Sequence, residues 1–79
     1  MIEVEPIILF WAFRYALGRR SYAVKMVADV MIEHRKDFDT TMNALIRAEI
    51  DEAVSKGYAG DSFDVQTWLH VRDILARGD

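Results

Sequence analysis

The fifteen residues from Phe10 to Val24, FWAFRYALGRRSYAV, constrain the fold more than any other stretch of this chain. An apolar run with one internal arginine, Arg14, reaches Gly18; Arg19 and Arg20 follow, and Ser21 opens a new apolar pattern. That order predicts a helix, a tight corner and a second helix. Glycine readily takes the left-handed conformation that ends a helix, arginines suit the negative end of its dipole, and serine caps the exposed amides of the next one. Pro6 stands where a helix best tolerates proline, with Glu5 before it to serve the positive end of the dipole. From Ile7 to Leu17 nearly every side chain is apolar, and a helix that is hydrophobic all round is the one its neighbours wrap. Helix 1 is therefore expected at the buried centre. Ahead of it, Ile2, Glu3, Val4 and Glu5 alternate like a short extended arm.

Three further helices follow from spacing. In helix 2, from Ser21, the residues Val24, Val27, Val30 and Met31 recur at three-to-four spacing as far as the polar stretch His34, Arg35, Lys36. Phe38 is an isolated anchor in a charged connection, and Asp39 with Thr40 offers the cap of helix 3. There Met42, Leu45, Ile46, Ile50, Ala53 and Val54 form one stripe, opposite Asn43, Arg47, Asp51, Glu52 and Ser55, until Gly57. The segment GYAGDS, 57–62, reads as a loop. Asp64 is the expected cap of helix 4, with Phe63 and Trp68 at the spacing of a hydrophobic staple, and Val71, Ile74 and Leu75 continue to Gly78. The prediction is one all-α domain over residues 1–79, a compact bundle of about four helices. Its expected core is Phe10, Phe13, Leu17, Val27, Val30, Leu45, Ile46, Ile50, Val71 and Ile74.

The chemistry that composition leaves open is narrow. The chain has no cysteine, so thiolate nucleophiles, disulfides and cysteine-bound zinc are excluded, and stability rests on packing. Glu3 and Glu5 occupy the place of a signal peptide's positive region, and the run from Ile7 to Phe13 is too short to span a bilayer. A soluble, unsecreted protein without membrane association is the expectation. His34 and His70 match no metal-ligand spacing, and Ser21, Ser55 and Ser62 lack a glycine elbow. No catalytic residue, cofactor site or metal site is predicted, and the chain reads as a non-enzyme. Gly18, Arg19 and Arg20 could form a phosphate nest, but a glycine stop with arginines against the dipole accounts for all three.

Charge is distributed unevenly: residues 1–35 hold five basic and four acidic groups, residues 36–79 five basic and nine acidic, for a net charge of -3. An acidic surface repels phosphate backbones and suits a basic protein groove, so direct nucleic-acid binding is disfavoured. The candidate partner-binding residues are Asp37, Asp51, Glu52, Asp61 and Asp73, with Asp39 and Asp64 assigned to caps. Arg14, interrupting an apolar helix, must reach solvent or a partner. Glu49 is its mirror image on helix 3, which predicts an ion pair between them. The structural set is thus Arg14, Gly18, Glu49, Asp64 and Trp68.

The string FRYALGRRSYAV (Phe13 to Val24), the later Leu45-Ile46 followed by Glu49-Ile50, and DVQTW (Asp64 to Trp68) resemble a group of small proteins encoded in phages and prophages. The likeness covers most of the chain in the same order and departs at the N-terminal arm and at the loop before helix 4. It implies a small protein of a mobile element, working in the cytoplasm of a bacterial host. Among small acidic proteins of that origin, anti-CRISPR inhibitors are a prominent class, and some mimic nucleic acid on the DNA-binding surface of an effector complex. The reading favoured by that analogy and by the acidic second half is an inhibitor that binds a CRISPR-Cas effector complex, with the type I complex Cascade favoured, and blocks its DNA binding; a monomer is the expected state. Two alternatives stay open. A phage regulatory, nucleic-acid-binding adaptor would use Arg19, Arg20 and Lys25. A structural phage protein would self-associate through an apolar face around Trp11 or Tyr58.

Overall fold

The computed structural model describes residues 5–17 and 23–78. They form an all-α fold: α1 (Pro6–Ala16), α2 (Ala23–Glu33), α3 (Thr40–Lys56) and α4 (Ser62–Arg77), with a single 3-10 turn at Arg35–Asp37 between α2 and α3. The extended arm, Gly18 with its two arginines, and the Ser21 cap lie outside the described residues.

Several boundaries follow the expected local chemistry. Pro6 opens α1, where its missing N–H is no loss. Asp39 caps α3, its Oδ1 accepting from the Met42 amide at 2.8 Å. Gly57 closes α3 at φ 81°. The Tyr58 amide there reaches the Ala53 carbonyl at 3.0 Å and the Gly57 amide reaches Val54 at 3.3 Å, the paired bonds that satisfy a helix's last carbonyls.

The beginning of α4 differs from expectation. Asp61, not Asp64, is the cap, and its Oδ1 accepts from the Asp64 amide at 3.0 Å. The helix thus starts a turn early, and Phe63 is held on the helical track. Five residues advance a helix by about 140° beyond a full turn, so Phe63 points away from Trp68. No staple forms: Phe63 is 78% exposed while Trp68 is fully buried.

Four helices contribute to one core. Leu9, Phe13 and Ala16 come from α1, Val24, Ala28 and Met31 from α2, Ile46, Ile50 and Ala53 from α3, and Trp68, Val71 and Leu75 from α4. Phe38 and Ala59 close it from the connections. Trp68 meets Phe13 edge to face, with centroids 5.3 Å apart, a favoured aromatic geometry. Of the expected core, Phe10, Leu17, Val27 and Val30 are half-buried against this cluster. Leu45 is 50% exposed and Ile74 only partly buried. Each precedes a buried residue, Ile46 or Leu75, and is therefore turned about 100° off the inward direction.

Helix α1 is not the centre of the bundle. α4 packs against both α2 and α3, while α1 lies on α2 and sends Phe13 to Trp68. Ile7, Ile8, Trp11 and Tyr15 stay exposed on its outer side. A helix apolar on two opposite sides has the composition of a wrapped one, and here only one side is covered.

Gly60, at φ 101°, is the most constrained residue of the α3–α4 connection. A Cβ built there would lie 2.7 Å from the Asp64 Cβ and collide with its carboxylate. Gly57 has the same backbone sign but nothing near it. Gly60→Ala is therefore expected to cost more than Gly57→Ala, and more than about 1 kcal/mol, in urea unfolding followed by circular dichroism.

Candidate functional site

The residues with charge to offer a partner lie mainly on the outer side of α3 and its seam with α4. Arg72 reaches across from α4, its two terminal nitrogens 2.7 Å from Asp51 Oδ1 and 3.2 Å from Asp73 Oδ1. Both bonds, Asp51 first, hold the guanidinium above its ordinary pKa. At the next residue of α3, Glu52 Oε1 accepts from Lys56 Nζ at 2.8 Å. Glu49 faces Arg14 of α1 at 3.7 Å, the expected helix-to-helix pair. Four carboxylates (Glu49, Asp51, Glu52, Asp73) thus share three cations (Arg14, Lys56, Arg72).

Of the five expected partner-binding acids, the structure brings Asp51 and Asp73 together on Arg72, while Glu52 pairs with Lys56 about 100° round α3 from Asp51. Asp61 is occupied as the α4 cap. Asp37 sits in the 3-10 turn, its Oδ2 3.1 Å from His34 Nδ1. The Asn43 side chain donates to the Leu75 carbonyl at 3.2 Å, placing the start of α3 beside the end of α4. Asp37 and Asp61 therefore flank opposite ends of an antiparallel pair, separated by the length of α3, about 25 Å. Arg72, which organises the seam, was invisible to sequence reasoning because its partner Asp51 lies 21 residues away. Its nearest signal was its place one residue from Asp73.

Two surface depressions accompany the fold. One, of about 270 Å³, is lined by Arg35, Lys36, Phe38, Asn43 and Leu75; the other, of about 290 Å³, by Lys25, Asp29, Phe63, Thr67 and His70. Two of their cations have uses already. Arg35 donates to the Ile32 carbonyl at 2.8 Å, and Lys25 faces Asp29 at 3.5 Å. Lys25 belongs to the alternative nucleic-acid surface, and its companions Arg19 and Arg20 lie outside the described residues. Among the described residues no cluster of three or more His, Cys, Asp or Glu could hold a metal ion, and no helix is long and apolar enough to cross a membrane.

Comparison with protein-family models, with curated proteins and with solved structures finds no match to this chain.

The Glu52–Lys56 pair has a definite pH signature. Hydrogen bonding to Lys56, then its charge, lowers the Glu52 pKa, while Glu52 raises that of Lys56. The Glu52 contribution is complete above the ordinary carboxylate value and is lost as pH falls through the lowered one; the Lys56 contribution is lost as pH rises through its raised value. The wild-type protein is thus expected to melt above Glu52→Gln at neutral pH, and the two to converge in strong acid. A thermal-melt series over pH measures this. Arg14 and Glu49 are partly solvated, so a double-mutant cycle is expected to give a coupling of about 0.5 kcal/mol or less.

Proposed function

We propose that this protein acts by occupancy: it is a stoichiometric inhibitor that sets the acidic seam of α3 and α4 into a basic groove of a CRISPR-Cas effector complex, a type I complex by preference, in the cytoplasm of a bacterial host. The carrying observation is the meeting of Asp51 and Asp73 on Arg72 across α3 and α4, with Glu52 beside Asp51 on the outer side of α3. The side chains of Asp51, Glu52 and Asp73 are 56%, 49% and 53% exposed although each holds a cation. Exposed pairs of this kind contribute little to stability, so arginines and lysines of a groove exchange with Arg72 and Lys56 at little cost. Exposed carboxylates also help to orient a basic partner and make the encounter salt-dependent. The phage-protein resemblance supplies the setting, and the engagement of these acids with Arg72 and Lys56 supports binding over acid-base catalysis.

The test is a target-DNA binding assay with purified type I effector complex and equimolar inhibitor. The native protein is expected to suppress DNA binding. The triple variant Asp51→Lys, Glu52→Lys, Asp73→Lys, shown to be helical, is expected to lose about tenfold or more in potency, and Asp37→Lys to behave as native. Inhibition that survives the triple reversal would discard the acidic seam; no suppression by the native protein in any type I system would overturn the inhibitor reading.

A further inference from the structure

Helix α1 carries an apolar face that the bundle leaves uncovered. At 100° per residue, Ile7, Ile8, Arg14 and Tyr15 fall within about 60° of Trp11, opposite the buried Leu9, Phe13 and Ala16. Ile7 is 47% exposed, Ile8 57%, Trp11 60% and Tyr15 66%. We infer that this face is covered by a second copy of the same chain, with two α1 helices packed antiparallel about a two-fold axis at Trp11.

Three observations favour a second copy. The first is size. A fully covered tryptophan or tyrosine buries about 150–250 Å²; at these exposures the four side chains offer on the order of 500 Å², and two such faces about 1,000 Å², where a specific interface begins. The second is self-complementarity, which a two-fold interface requires. Antiparallel pairing about Trp11 lays Ile8 against the partner's Tyr15 and Ile7 against the aliphatic stem of the partner's Arg14, with the two indoles meeting at the centre. Tryptophan, tyrosine and arginine are the residues that dominate interface energy. The third is electrostatic: each helix sets the positive N-terminal end of its dipole beside the negative C-terminal end of the other. The acidic seam of α3 and α4 is a separate surface, so a dimer does not rest on the inhibitor reading, and it would present two seams.

Sedimentation equilibrium over a wide concentration range tests the dimer without any effector complex. The mass is expected to approach twice the 9.1 kDa of one chain. Trp11→Glu is expected to return it to a single chain with its helical signal intact, and Ile8→Glu to do the same. Phe63→Glu, which alters an exposed aromatic of α4, is expected to leave the dimer in place. Because the chain has no cysteine, geometry can be read separately: Ile8→Cys mixed with Tyr15→Cys is expected to cross-link, and neither alone. A single-chain mass at every concentration, a dimer that survives both glutamate substitutions, or cross-linking of Ile8→Cys with itself would overturn the inference.

Discussion

The fold depends on one indole. Trp68 is fully buried, and Phe13 meets it edge-on from α1, while its own helix packs against α2 and α3. Among the described residues one core cluster carries the load, and truncating such a side chain costs about 3–5 kcal/mol, a large part of a small domain's stability. The Trp68 Nε1 has no hydrogen-bond partner among the described residues, so the site keeps the indole for its volume at the expense of an unanswered donor. With α4 in that position, α3 is held alongside it and α1 becomes an outer layer with one side left open.

Local chemistry was legible in the sequence where a single residue decides it. Pro6, Asp39, Gly57 and Gly78 stand where helices begin and end. In the stretch GDSFD the expected cap was Asp64, and the helix starts instead from Asp61, just after Gly60 turns at positive φ. Helix 1 was misplaced for a different reason. A nearly continuous apolar run hides two opposite stripes, one through Leu9, Phe13 and Ala16 and one through Ile7, Trp11 and Tyr15. Nothing local says which stripe the rest of the chain will cover. That choice is made by α2, on which α1 lies, and by Trp68 of α4, more than fifty positions downstream of Phe13.

The charged surface shows the same division. The excess of acids in the second half was readable as a count, but which of them stand together was not, since Asp51 and Asp73 meet only through the register of α3 against α4. The pairing also moderates the charge: four carboxylates shared among three cations make a patterned surface with a small net excess. Recognition by such a surface depends on matching the alternation of charge, which favours a folded protein groove over a uniformly charged polymer. Asp37 and Asp61, at the two ends of α3, extend the pattern without belonging to its centre.

The contrast between the two tryptophans has a practical consequence. Trp68 is fully buried against the Phe13 ring and is expected to emit toward the blue; Trp11, 60% exposed in the single chain, is expected to emit toward the red and to be open to collisional quenchers. One chain therefore carries two optical reporters on separate channels, the first following the integrity of the interior and the second whatever comes to rest on the outside of α1. Iodide quenching separates them without any label, so folding and association can be watched independently in the same cuvette.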